Sequence, residues 1–195
     1  ALAHGPCWHL CEVYAHACMD ATWSHETMGA LIVRDLLGRM EVPEADVDFV
    51  VLLIGGMAPD DPWPLSTRPE TLRYLVDVVH NRTCGVDVDK LDYLLRDSLA
   101  VFGATHSVDA VRIIHASRAC EGHLALHSRV SLSIEQIFEM RTRLHRQVYQ
   151  HREVMVVEHI IMSVRRAQET TRMRALLEDP REFLTLTDTS VYHMM

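Results

Sequence analysis

The sequence predicts an all-α fold carrying at most one small β-hairpin. Three observations lead there. Apolar residues recur at helical spacing through 71–80, 87–97 and 133–169, and a 3.6-residue period marks helices that bury one face. The best strand candidate is the alternating piece GHLALHSRV, 122–130, which is no longer than one arm of a hairpin. No internal repeat or low-complexity segment breaks the pattern.

Taken in order, CWHLCEVYAHACMDATWSHETMGALIVRDLLGRM at 7–40 reads as helix with a break near 21–24. Ser24, followed by His25, Glu26 and Thr27, starts a second helix over 26–37. Residues 41–54 form a helix beginning near Pro43, whose missing N–H is harmless in a first turn, or else a short buried strand at 49–54; the helix is preferred. GGMAPDDPWPLSTRP at 55–69, with its Gly pair and repeated Pro, is a loop. TLRYLVDVVH leads from it into NRTCGVDVDKLDYLLRDS at 81–98, and one or two breaks are expected within 133–169.

The acidic stretch at 81–98 carries more than a solvated face. On a wheel of about 100° per residue, Asp89, Lys90, Tyr93 and Asp97 share an arc of about 100°, while Leu91, Leu94 and Leu95 fill a separate one. Asp92 and Arg96 make an ordinary i,i+4 pair on a third face. Asp87 is placed to cap the helix. A second stripe, Arg141, His145, Tyr149 and Arg152, spans about 80° beside an apolar row of Leu144, Val148 and Met155. Together the stripes offer cations for phosphate, phenols for a sugar or base, and carboxylates for a hydroxyl or a metal, a set that suits a nucleotide.

Composition sharpens this reading. Of 19 Lys+Arg, only Lys90 is lysine. Gene base composition can produce such a bias, yet an ammonium is a compact point charge that fits a phosphate where the planar guanidinium does not. With 195 residues, 48% hydrophobic and 24% charged, the chain supports a well-buried globular core and is not disordered. A net charge of −8 and pI near 5.9 exclude a general electrostatic grip on nucleic acid, so any anion site is built locally.

Cys7, Cys11, Cys18, Cys84 and Cys120 form no even framework, and no secretory apolar region accompanies them, which places the chain in a reducing intracellular compartment, nucleus or cytoplasm. The longest apolar run, 49–58, is interrupted by Gly and falls far short of the roughly 18 residues of a membrane helix. His4, His9, His16 and His25 interleave with Cys7, Cys11 and Cys18, but neighbours at such spacing point apart and match no closed zinc site.

HGPCWH at 4–9 resembles the HGPFSH segment of the HD-domain deoxynucleoside triphosphate triphosphohydrolases, the family of the SAM-and-HD-domain protein and the bacterial dGTPases. The resemblance continues in order through WSHE at 23–26, RPE at 68–70, GVDVDKLDYLLRD at 85–97 and LHRQVYQHR at 144–152. It implies an all-α HD-domain fold that cleaves a dNTP to a deoxynucleoside and triphosphate. Asp89 then looks like the last ligand of a divalent metal site (Fe, Mn, Mg or Zn). His4, His9 and His25 look like pocket histidines that protonate the leaving oxygen, with Glu12 and Glu26 as adjoining acids. Lys90, Tyr93, Arg141 and His9 would hold the triphosphate, and Asp97, His145, Tyr149 and Gln150 would face sugar and base. His151, Arg152 and Arg129 resemble residues that bind an activating nucleotide between the subunits of a homo-oligomer.

The chain also departs from the family. The remaining metal ligands, a His and an adjacent His-Asp pair, would precede HGPCWH, and aligned without a gap that Asp falls on Ala1. The expectation is therefore a partial HD domain over 1–195, short of an N-terminal metal-ligand segment and of the family's C-terminal region, with a catalytically inactive nucleotide-binding or regulatory relative as the alternative and an HD phosphohydrolase acting on another nucleotide as a weaker one. On this reading the 195-residue chain alone releases no triphosphate from a dNTP with Mg²⁺ or Mn²⁺. Adding an upstream His and His-Asp segment restores release; metal-dependent turnover without it would put the metal site elsewhere.

Overall fold

The structure, a computed structural model, describes residues 11, 15, 23–103, 108–167 and 175–187. It is mostly helical, and the described residues carry one two-stranded antiparallel sheet. Two compact units divide the chain: residues 1–51 with 152–195, and residues 52–151.

In the first unit, helix α1 (His25–Arg39) starts where the sequence places it: Ser24 is extended and its Oγ accepts the Thr27 N–H at 3.2 Å. Met28 and Ile32 turn inward and join Cys11, Ala15, Met162, Leu177, Phe183 and Leu186 in one core. Trp23 packs beside it, its ring 5.8 Å from that of Phe183 and its N–H donating to the Leu177 carbonyl at 3.0 Å. Helix α2 (Glu44–Gly55) follows Pro43, so the helical reading of 41–54 holds and the strand is excluded. Arg34 ties α1 to α2 through Glu44 and, at 2.7 Å, Asp48.

The second unit runs from the end of α2 to His151. A loop through Gly56–Pro69 gives way to a 3₁₀ turn (Glu70–Leu72), helix α3 (Tyr74–Val79) and helix α4 (Val88–Phe102), which ends on Gly103 in the left-handed region at φ 70°. Helix α5 (Ala110–His115) precedes the hairpin of β1 (Ser117–Cys120) and β2 (His123–Leu126), with Ser117 opposite Leu126 and Cys120 opposite His123. Its two-residue turn puts Glu121 and Gly122 both at positive φ, the type I′ geometry that matches strand twist. The strand expected over 122–130 is thus shorter: Ser128–Val130 is already a 3₁₀ turn leading into helix α5's successor, α6 (Ser131–Leu144).

Leu91 and Leu94 of α4 are buried in the same core as Ile137, Met140 and Leu144 of α6, with Leu95 and Val148 packed against it. The separate apolar arcs read from the wheel are therefore real anchor faces. Beyond Leu144 the helix widens into a π turn (His145–Tyr149), closed by the Gln150 N–H on the His145 carbonyl at 2.9 Å. The chain then breaks, and α7 (Arg152–Ala167) begins afresh. Two wheel assignments are corrected here. Arg152 opens a separate helix rather than continuing the α6 stripe, and Met155 is 51% exposed rather than part of the anchoring row.

Leu94→Ala is expected to lower unfolding free energy by about 2–5 kcal/mol, whereas Leu99→Ala, at 53% exposure on the same helix, should stay within about 0.5 kcal/mol. Denaturant titration with equal m-values checks both.

Candidate functional site: two facing polar stripes

The first stripe is set by the turn before α4. Asn81 is buried; its Oδ1 accepts the Thr83 and Cys84 N–H groups at 2.9 and 3.0 Å, and its Nδ2 donates to the Val86 carbonyl at 3.1 Å. Asp87 caps α4 as the sequence predicts, Oδ1 accepting the Lys90 N–H at 2.9 Å. Its Oδ2 accepts the Asn81 N–H at 3.3 Å and lies 3.9 Å from Lys90 Nζ. The side chains of Lys90 and Asp87 are only 19% and 11% exposed, so the single lysine is held against the helix start rather than waving in solvent. Asp92 and Arg96 pair at 2.7 Å on another face, away from it.

The second stripe faces the first across the shared core. The Tyr149 hydroxyl donates to Asp97 Oδ2 at 2.5 Å. The Arg141 guanidinium acts on the Tyr93 hydroxyl from the facing helix, favouring its ionised form. Because residues in an i→i+5 turn advance less around the axis than in an α-helix, Tyr149 stays on the His145 face, and the two rings meet edge to face at 5.1 Å.

These contacts set the protonation states. Burial pushes the Tyr93 phenol above the ordinary range despite the opposing pull of Arg141, and Asp89 and Asp87 add to the rise. Tyr149 is driven well above it, by burial first and then by its bond to the Asp97 carboxylate. Burial, helped by Arg141, holds His145 below the usual imidazole range. These shifts favour the neutral forms of the two phenols and the imidazole, leaving them as hydrogen-bond groups among the side chains of Lys90, Arg141, Asp89 and Asp97.

No protein-family profile matches the chain. It is similar to the deoxynucleoside triphosphate triphosphohydrolase SAMHD1 of Gallus gallus, 29% identical over 180 residues covering 82% of this chain and 29% of that protein. The SAMHD1 homolog of Dictyostelium discoideum is 29% identical over 192 residues, 96% of this chain and 35% of that protein. The putative HD domain-containing protein L394 of Acanthamoeba polyphaga mimivirus is 22% identical over 200 residues, covering 100% of this chain and 41% of that protein. The chain is a relative of the HD-domain dNTP triphosphohydrolases. It spans about a third of the length of the two SAMHD1 proteins, 29% and 35%.

The other residues that the family resemblance singles out are distributed differently. His4, His9 and Glu12 lie outside the described residues. His25 and Glu26 open α1 in the first unit, with His25 Nε2 3.3 Å from Glu26 Oε1. Gln150, His151 and Arg129 are exposed in the second unit, and the Arg129 carbonyl accepts from Arg112 at 3.4 Å. Asp89 is exposed at the first turn of α4. Among the described residues no three His, Cys, Asp or Glu side chains converge as a metal would require, so these residues do not by themselves fit the family's divalent ion, and no chemical step is derived through one. No described helix is long and apolar enough to cross a membrane.

Two buried groups escaped the sequence. Asp77, on α3, accepts the Leu124 N–H at 3.0 Å and lies 3.3 Å from His123 Nδ1, pinning the hairpin. Arg73 donates to the carbonyls of Ala58, Pro59 and Asp61 at 2.9, 2.6 and 2.7 Å, closing the proline-rich loop. Neither residue stands out in the sequence, yet both are only 7% exposed.

Since the folded state holds the Tyr149 proton more tightly than the unfolded one, this group's contribution to stability is complete below pH about 10 and is lost as pH rises beyond it. Tyrosinate absorbance should show a late-ionising phenol that Tyr149→Phe deletes, at a cost of about 1 kcal/mol. An unchanged titration curve in Tyr149→Phe would contradict the Asp97 contact.

Proposed function

We propose that the facing stripes bind a deoxynucleoside triphosphate, and that the chain carries the nucleotide-contact residues of a dNTP triphosphohydrolase that releases deoxynucleoside and triphosphate when its divalent metal site is complete. The observation that carries this reading is the Tyr149–Asp97 hydrogen bond, with Arg141 acting on Tyr93 beside it, on a helix whose first turn holds a partly buried lysine. Lys90 and Arg141 supply charge for phosphate oxygens, joined by Tyr93 and His9. Asp97 accepts a sugar hydroxyl, while Tyr149, His145 and Gln150 offer hydrogen bonds and an aromatic wall to sugar and base. His4, His9 and His25, with Glu12 and Glu26, are assigned proton transfer to the leaving oxygen, and Asp89 metal ligation. His151, Arg152 and Arg129 are assigned to an activating nucleotide in a homo-oligomer.

Nucleotide binding without hydrolysis is the alternative. Its residues Lys90, Tyr93, Asp97, Arg141, His145 and Tyr149 all lie within residues 52–151. Release of triphosphate from a dNTP separates the two readings; binding alone fits only the second.

Calorimetric titration of dGTP into the chain tests the common core. Lys90→Met is expected to weaken binding more than about tenfold, the worth of one charge-assisted hydrogen bond, with an unchanged melting temperature. Equal affinity in both proteins would remove Lys90 from the site and contradict the proposal.

A further inference from the structure

The Asp87 carboxylate serves two groups of the same residue, Lys90. Oδ1 accepts the Lys90 backbone N–H at 2.9 Å, which is ordinary capping. Oδ2 lies 3.9 Å from the ammonium, with both side chains mostly removed from solvent. Capping needs only one oxygen, and Ser, Thr or Asn would supply it. The second oxygen adds a negative charge beside a cation that the proposed function gives to phosphate. Gly85 brings the backbone close as well: at φ +70° it makes the turn, and a Cβ there would sit 3.9 Å from Lys90 Nζ. The turn is braced from beneath by Asn81, so Asp87 cannot drift away with its partner.

We infer that Asp87 is the resident counter-ion of Lys90, a positioning residue that holds the ammonium at the start of α4 until a phosphate oxygen displaces the carboxylate. The inference rests on the proposed nucleotide reading for its ligand but not for its geometry. A fixed anion next to the phosphate position opposes phosphate entry as well as holding the lysine, so the interaction weakens anion binding in the unvaried protein. Substituting Asn keeps the capping oxygen and removes the charge.

Because Lys90 is the only lysine, labelling lysine with ¹³C at Cε gives one side-chain resonance that reports this ammonium alone. In ligand-free protein, Asp87→Asn is expected to move that resonance while leaving the melting temperature nearly unchanged. A pure capping role would leave it in place, and that outcome overturns the inference. Inorganic triphosphate then serves as the probe anion: its affinity should rise about fivefold in Asp87→Asn, the scale of a partly exposed ion pair, and the rise should vanish in a Lys90→Met background. Weaker or equal binding in Asp87→Asn, or the same gain without Lys90, also overturns it. Should Lys90→Met leave triphosphate affinity untouched, the nucleotide reading fails, and the ligand-free resonance still decides the counter-ion role.

Discussion

The packing of α4 against α6 is the constraint on which the candidate site depends. Leu91 and Leu94 can share a core with Ile137, Met140 and Leu144 only if each helix turns one particular face inward, and side chains one or three residues from those anchors, Lys90, Tyr93 and Asp97 on α4 and Arg141 and His145 after Met140 and Leu144, are then carried to the rim of the contact. Burying each such aliphatic side chain contributes roughly 1.5–3 kcal/mol. The polar contacts are weaker and could not orient two helices, but they need not. Once the apolar faces are seated, Tyr149 reaches Asp97 and Arg141 reaches Tyr93 with little further ordering.

That order of causes explains how much was legible in the sequence. Helical periodicity located α4 and α6, the capping residues Ser24 and Asp87 were readable from their positions, and the polar arc of Asp89, Lys90, Tyr93 and Asp97 followed from spacing alone. What escaped were features set by tertiary contact. The π turn at His145–Tyr149 leaves no periodic signal, because an ideal wheel assumes the repeat it violates. It explains why Arg152 was wrongly carried along the stripe. Asp77 and Arg73 were invisible for a different reason: a charged pair at i,i+4 is ordinarily solvated, and nothing local announces that backbone groups of a hairpin and a loop will come to satisfy it.

The electrostatics are those of a site assembled from opposed charges rather than from a field. The net charge of −8 offers phosphate no long-range attraction, so the proposed binding depends on short contacts with the partly buried Lys90 and the exposed Arg141. Burial favours the neutral forms of the two phenols and the imidazole, leaving them as donors and acceptors. Similarity to the SAMHD1 dNTP triphosphohydrolases accords with the proposed nucleotide site.

The central claim is that the α4 and α6 stripes form a single nucleotide-binding surface. Backbone amide resonances followed during addition of dGTP test it most directly. The account predicts shifts clustered at Lys90, Tyr93, Asp97, Arg141, His145 and Tyr149. A concavity of about 660 Å³ on α6 is lined by Glu135, Phe138, Glu139 and Arg143. Shifts confined to those residues, or none on α4, would contradict it.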